Sequence, residues 1–239
     1  MKLLALESSA RAASCAVLED GAPLASAWQA TGLTHSRTLL PMAEDMLRNS
    51  GLTWGDMDAI AVAAGPGSFT GLRIGVAAVK GLAWAAEKPC VPVSTLEAMA
   101  WPLAHLEGIT VCAMDARRQQ IYNAVFRSGG GELIRLREDR AVSLEEAAAD
   151  LADLEGPLTI VGDGARLCCD FLTQRGISCR LAPAHLLLQS AVGVGMAAGR
   201  SWPGGAVSAQ ELAPVYLRLS QAERERLARE QARGDQSGS

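Results

Sequence analysis

The stretch DAIAVAAGPGSFTGLRIG, residues 58–75, passes from six consecutive apolar residues into a loop crowded with glycine and proline, and then into a helix-like run. A short apolar run bounded by turn residues reads as a buried strand, and the small and apolar residues from about 70 to 87 read as a helix. The succession returns later in the chain. LTIVGD at 158–163 is strand-like and also ends in glycines, and Ala165–Arg175 is helix-like.

What precedes each copy matches as well. KLLALE (2–7), SCAVLE (14–19) and PLASAWQ (23–29) are short strand-like runs, the first two separated by small polar residues and the last two by Asp20-Gly21, a good hairpin turn. A helix-like segment stopped by Asn49-Ser50-Gly51 leads on to the apolar strand. In the second copy the three strands are ITVCAMDA (109–116), QIYNAVFR (120–127) and ELIRLRE (132–138), and the helix is Glu145–Leu154. The order is βββαβα twice, with a strand at PCVPVS and a helix from about 95 to 107 between the copies. This is the plan of an α/β chain with the duplicated ribonuclease-H-like fold of actin-like ATPases: two lobes, each with a mixed sheet begun by a three-stranded antiparallel meander. The expected division is 1–103 for the first lobe and 104–218 for the second, whose last helix can return to the first. The polar run 219–239 is expected to be a largely disordered, dispensable tail.

Composition bounds the function. The chain has 239 residues, 49% hydrophobic and 20% charged, with a net charge of -4, so it lacks the clustered cationic excess that grips nucleic acid unaided. Any tRNA or DNA role has to lean on a partner. Leu181–Gly199 carries no formal charge and is about as long as a membrane span, but Pro183, His185, Gln189, Ser190 and three glycines favour a buried core helix. With only four apolar residues between Lys2 and Glu7 there is no signal-peptide core, and the expected location is the cytoplasm. Cys15, Cys90, Cys112, Cys168, Cys169 and Cys179 show no metal-type spacing and read as small core residues of a reducing compartment.

The glycine loop suggests phosphate, but the standard motifs fail. Gly65 is followed at the fifth position by Thr70 and no Gly-Lys-Ser/Thr ends the loop; Gly65-Pro66-Gly67 lacks the third glycine of a dinucleotide fingerprint; Pro66 spoils a nucleophile elbow at Ser68. Two readings stay open. Gly65 and Gly67 can give a tight exit from the strand while Ser68 or Thr70 caps the next helix, with Gly71 and Gly75 on one face for close backbone approach. Alternatively the helix N-terminus, with Arg73, holds an anion. Glu7-Ser8-Ser9, after the first strand, sits where actin-like ATPases place acidic and small polar residues around phosphate and metal, and reads as a remnant or a working half-site. His35, His105 and His185 are scattered and unpaired in sequence, so neither catalytic residues nor metal ligands are assigned.

The helix after the loop is the more informative feature. In LRIGVAAVKGLAWAA (72–86) the only charges are Arg73 and Lys80, which with Glu87 recur at sevens as one narrow polar stripe. So much apolar circumference needs cover on two sides. The helix before it adds Leu39, Met42, Ala43, Met46 and Leu47, with Thr38 a candidate cap and Pro41 expected in the first turn. Either both helices are simply core, or Leu39, Met42, Ala43, Met46 and Leu47 together with Leu72, Gly75, Val76 and Val79 form a face for a partner's helix pair.

GPGSFTGLRIG (65–75), MDARRQQIY (114–122), HSRTLLP (35–41) and PVYLR (214–218) together resemble the bacterial TsaB family, formerly called YeaZ, over residues 1 to about 218. The resemblance implies a two-lobed actin-like fold and a role in making threonylcarbamoyladenosine at position 37 of tRNAs reading codons that begin with A. In that pathway one enzyme makes threonylcarbamoyl-adenylate from threonine, bicarbonate and ATP. TsaD, a paralogue with a His-x-x-x-His metal site, then transfers the threonylcarbamoyl group to N6 of the adenosine. The resemblance makes this chain the non-catalytic partner of TsaD, docked through the two helices of the first lobe, with the ATPase TsaE joining and tRNA met only through the complex. Without TsaD the same face is expected to close on a second copy. No cofactor is implied. The family commonly has Asp-Thr-Ser after the first strand, where this chain has Glu7-Ser8-Ser9. Arg117 and Arg118 fall at a strand turn and read as solvated, or as contacts to tRNA or a partner; Arg135, Arg137 and Arg140 read as an exposed strand face. A free-standing ATP-dependent phosphotransferase of the actin-like fold, holding nucleotide with Glu7, Ser8 and the glycine loops, is the alternative.

Overall fold

The computed structural model describes residues 1–218; the expected polar tail lies outside the described residues. Ten strands form two five-stranded mixed sheets. In the first, β1 (Lys2–Glu7), β2 (Ala13–Glu19) and β3 (Ala22–Gln29) are an antiparallel meander, and β4 (Ala59–Gly65) and β5 (Cys90–Ser94) add parallel to β1, giving the order β3-β2-β1-β4-β5. The second repeats it with β6 (Gly108–Asp115), β7 (Gln120–Gly129), β8 (Glu132–Ser143), β9 (Leu158–Val161) and β10 (Cys179–Leu181), in the order β10-β9-β6-β7-β8. The duplicated α/β fold expected from the two glycine-ended strands is the fold observed. The Asp20-Gly21 hairpin has both residues at positive φ, 50° and 82°, as a two-residue type I′ turn requires.

Strand alternation explains why the first sheet has two covered faces. Leu4 and Leu6 of β1 point to the side of α1 (His35–Asn49) and α2 (Phe69–Ala86), while Leu3 and Ala5 point to the side of α6 (Ala191–Ser201). The last described helix therefore completes the core of the first sheet. The second sheet packs one face on α4 (Leu144–Ala152) and α5 (Ala165–Gln174) and the other on α3 (Thr95–Ala100). α3 and α6 lie together between the sheets, close enough that a Cβ on Gly193 would collide with the Ala98 carbonyl. Arg135 ties β8 to α3 by an ion pair with Glu97 at 2.7 Å, and lies over the Phe126 ring with its guanidinium carbon 4.6 Å from the centroid.

Four expectations are corrected. The core helix drawn over Leu181–Gly199 begins only at Ala191, where Ser190 caps it through the Val192 N–H (3.2 Å); the residues before it are the end of β10 and a 3-10 turn at Ala184–Leu186. The helix over 95–107 stops at Ala100 and tightens into a 3-10 turn over Trp101–Leu103, which contains Pro102. Pro41 stands inside α1 on its exposed side, where the Arg37 carbonyl it leaves unpaired can be hydrated, and the N-cap is Thr34, not Thr38. Arg135, Arg137 and Arg140 are not a free strand face: Arg137 and Arg140 pair with Asp150, and Arg135 with Glu97 and Asp139. Among the described residues no helix is long and apolar enough to cross a membrane.

Candidate functional site

The glycine loop leaves β4 at Gly65, whose φ of 141° suits only glycine, through a cis Gly65–Pro66 peptide. Ser68 then caps α2, its Oγ accepting the Gly71 N–H at 3.4 Å, while its own N–H donates to the Ser9 carbonyl at 2.7 Å. Cβ atoms on Gly67, Gly71 and Gly75 would strike, respectively, the Ser9 carbonyl, the Ser8 carbonyl and Ser8 Oγ. The Ser8 hydroxyl donates to the Gly71 carbonyl at 2.9 Å. The glycines are thus the imprint of the Glu7-Ser8-Ser9 turn. The predicted loop residues Glu7, Ser8, Gly65, Gly67 and Ser68 do come together, but around one another.

Thr70 and Arg73 are exposed on the first turns of α2. Arg73 is committed to the end of the described chain: its Nε donates to the Tyr216 hydroxyl at 3.0 Å, and its guanidinium lies 5.5 Å and 5.9 Å from the Phe69 and Tyr216 ring centroids. Those two rings stack at 4.1 Å with 3° between their planes. The Val215 N–H donates to the Ala64 carbonyl at 2.7 Å, and the Val215 carbonyl occupies the space a Cβ on Gly65 would need. Lys80 adds bonds from Nζ to the carbonyls of Gln210 (3.1 Å) and Leu212 (3.0 Å). PVYLR and GPGSFTGLRIG, far apart in sequence, are one structural unit.

Behind that unit lies a buried carboxyl. Glu7 is fully buried; Oε1 accepts the Ser9 N–H at 2.5 Å and Oε2 has no hydrogen-bond partner among the described residues. Burial raises its carboxyl to about 7, against a partial lowering by the hydrogen bonds from Ser9 and with a smaller repulsion from Asp163 after β9. Asp115, at the end of β6, holds the position in the second lobe that Glu7 holds in the first, but it faces out and accepts the Arg117 N–H at 2.7 Å. Among the described residues no three His, Cys, Asp or Glu side chains are placed to hold a metal ion. His35 is tied by Nε2 to the Ala10 carbonyl at 2.7 Å, which requires the proton on Nε2. Arg117 and Arg118 are exposed with φ of 65° and 57°, left-handed conformations uncommon for arginine.

The docking face expected from the sequence is not the face the fold turns outward. Leu39, Ala43, Met46, Leu47, Val76 and Val79 are buried in the chain's own core against β1, β2 and β4, Leu72 and Gly75 are buried as well, and only Met42 of the set is partly exposed. The helical spacing marked the residues that need cover, and the chain's own sheet supplies it. The outward face of α2 is another set: Arg73, Ala77, Gly81, Trp84 and Ala85, with Trp84 75% exposed. Beside it α1 presents Leu40, 41% exposed, among Arg37, Glu44, Asp45 and Arg48. Sequence reasoning missed Trp84 by taking Lys80 and Glu87 as the solvent line. Lys80 is turned aside to residues 210–212. Arg73, Ala77, Gly81 and Trp84 are spaced by four, four and three residues, the sequence signal that puts them on one helix face.

The family model described as "TsaD: tRNA N6-adenosine threonylcarbamoyltransferase" matches residues 29–162. The chain is 34% identical over 222 residues to the tRNA threonylcarbamoyladenosine biosynthesis protein TsaB of Escherichia coli K12, covering 91% of this chain and 95% of that protein. It is 33% identical over 231 residues to the Haemophilus influenzae protein of the same name, covering 91% and 94%. Among solved structures it resembles YeaZ from Pseudomonas aeruginosa, with a TM-score of 0.78 and 31% identity over 90% of this chain and 99% of that one.

Proposed function

The chain belongs to the TsaB family of tRNA threonylcarbamoyladenosine biosynthesis proteins, and from that premise we propose that it is the non-catalytic, activating subunit of the threonylcarbamoyl-transferring assembly. It docks TsaD through the outward face of α1 and α2, TsaE joins the pair, and tRNA is met through the complex. In isolation the same face closes on a second copy in a two-fold pair.

The observation that carries this reading is the face of α2. A helix of a lone chain ordinarily turns charged residues to water, yet this one turns out Ala77, Gly81, Trp84 and Ala85 in a row. Small residues let a second helix approach closely, and a tryptophan at the end of such a stripe is the kind of anchor that dominates interface energies. The flanking charges of α1 suit a polar rim. The phosphotransferase alternative requires room for phosphate at the glycine loop. That room is taken by the backbone of Ser8, Ser9 and Val215.

Reconstitution of tRNA modification from purified TsaD and TsaE, with threonylcarbamoyl-adenylate supplied and with or without this chain, tests the reading. Modification that depends on the chain, and falls at least tenfold with the Trp84→Glu variant, is the expected result. Undiminished modification without the chain, or ATP hydrolysis by the chain alone that is lost with Glu7→Ala, overturns it.

A further inference from the structure

Two of the six cysteines do not behave as the core residues expected from the sequence. Cys15, Cys90, Cys112 and Cys168 are buried, but Cys169 on α5 and Cys179 at the start of β10 are half-buried, with Sγ atoms 2.8 Å apart. A disulfide bond is about 2.05 Å long, so the two sulfurs stand less than about 1 Å from bonding distance. The fold fixes this placement. β9, α5 and β10 form a crossover, Gly176 at φ 78° turns the chain out of the helix, and the parallel register sets Cys179 beside Leu158 under the C-terminal half of α5. Cys168, the preceding residue on α5, is fully buried in the core cluster with Ile160 and Leu172.

We propose that Cys169 and Cys179 are a disulfide-forming site, joined when the protein meets a low-molecular-weight disulfide such as oxidised glutathione. One thiolate of the pair attacks the reagent's S–S bond, forming a mixed disulfide and expelling one reagent thiolate. The second protein thiolate then attacks the protein sulfur of that mixed disulfide and expels the other. The protein pair loses two electrons, the reagent gains them, and the two thiol protons leave on the two released thiols. The bond staples the edge strand of the second sheet to the helix that covers it. Burial, and then the neighbouring Cys169, push the Cys179 thiol up to about 11, so the reaction runs faster as pH rises from neutrality.

The test is to hold the folded chain with oxidised glutathione, alkylate in denaturant, and weigh it without reductant. The expected product has lost about 2 Da, corresponding to two thiols, and carries four alkyl groups where the reduced protein carries six. Trypsin should release LCCDFLTQR (167–175) joined to GISCR (176–180), with fragmentation placing the bond on Cys169. Cys168→Ser should keep the link, and Cys169→Ser or Cys179→Ser should lose it. Because wild-type fragmentation alone locates the bond, the result does not depend on how well any variant folds. Six alkylated cysteines, a stable glutathione adduct with no internal bond, or a link through Cys168 would each overturn the proposal.

Discussion

The ring of Phe69, in the first turn of α2, lies 4.1 Å from the ring of Tyr216, almost parallel to it, with Arg73 bonded to the Tyr216 hydroxyl beside the pair. This contact clasps the glycine loop with the last described residues of the chain. A stacked pair contributes about 0.5–1.5 kcal/mol beyond its buried area. Tyr216→Ala should therefore destabilise the fold by about 2 kcal/mol, and Tyr216→Phe, which loses only the hydroxyl bond, by about 1 kcal/mol or less. Urea midpoints of the two variants at equal slope check the ordering.

Val76 and Trp84 separate folding from docking. Val76 is 4% exposed and faces the sheet, so Val76→Glu buries a charge and should cost more than about 3 kcal/mol. Trp84→Glu lies in water and should change stability by about 0.5 kcal/mol or less. The same variant should shift the mass from dimer to monomer in light scattering and weaken TsaD binding by at least tenfold. A Trp84→Glu chain that still pairs and still binds TsaD would remove α2 from the interface.

Two glycines of α2 should respond with opposite sign. At Gly71 an added methyl falls on the Ser8 carbonyl, so Gly71→Ala should destabilise by about 3 kcal/mol or more unless the β1 turn moves. At Gly81 the methyl meets no atom within 4 Å, and alanine is the better helix former, so Gly81→Ala should stabilise by about 1 kcal/mol. Thermal melts of the two variants beside the wild type give the signs directly.

Glu7 predicts a pH dependence. Its carboxyl is raised from 4.5 unfolded to about 7 folded, so between those values the native state holds the proton more tightly. Stability from this group is complete below pH 4.5, falls as pH rises through 7, and is lower by about 3 kcal/mol above it. Glu7→Gln keeps an oxygen for the Ser9 N–H and removes the charge. The stability difference between variant and wild type should grow from about 1 kcal/mol at pH 5 to about 3 kcal/mol at pH 8, in the variant's favour. A flat difference across that range would mean Glu7 is ionised in the fold.

The repeat of strand, glycine and helix made the two sheets legible because a buried parallel strand writes itself as a continuous apolar run. β10 was not legible: its three residues, Cys179, Arg180 and Leu181, are too few to show a period, and Pro183 follows at once. The docking face was misread for a different reason. Hydrophobic spacing tells which residues are covered but not by what, and Val76, Val79, Ala43 and Met46 are covered by the chain's own sheet. The glycine loop looked like a ligand site because close approach by backbone and by phosphate ask for the same absence of Cβ. Only the fold shows that Ser8, Ser9 and Val215 are the groups that approach.

The crossing of α6 back to the first sheet has a consequence for synthesis. Leu3, Ala5, Ala16 and Leu18 wait for Val194, Ala197 and Ala198 to cover them, so a ribosome that has completed the first sheet still displays one of its faces bare. The first half cannot reach its final form until α6 is made, and a growing polypeptide halted before Ser201 should be a client for chaperones.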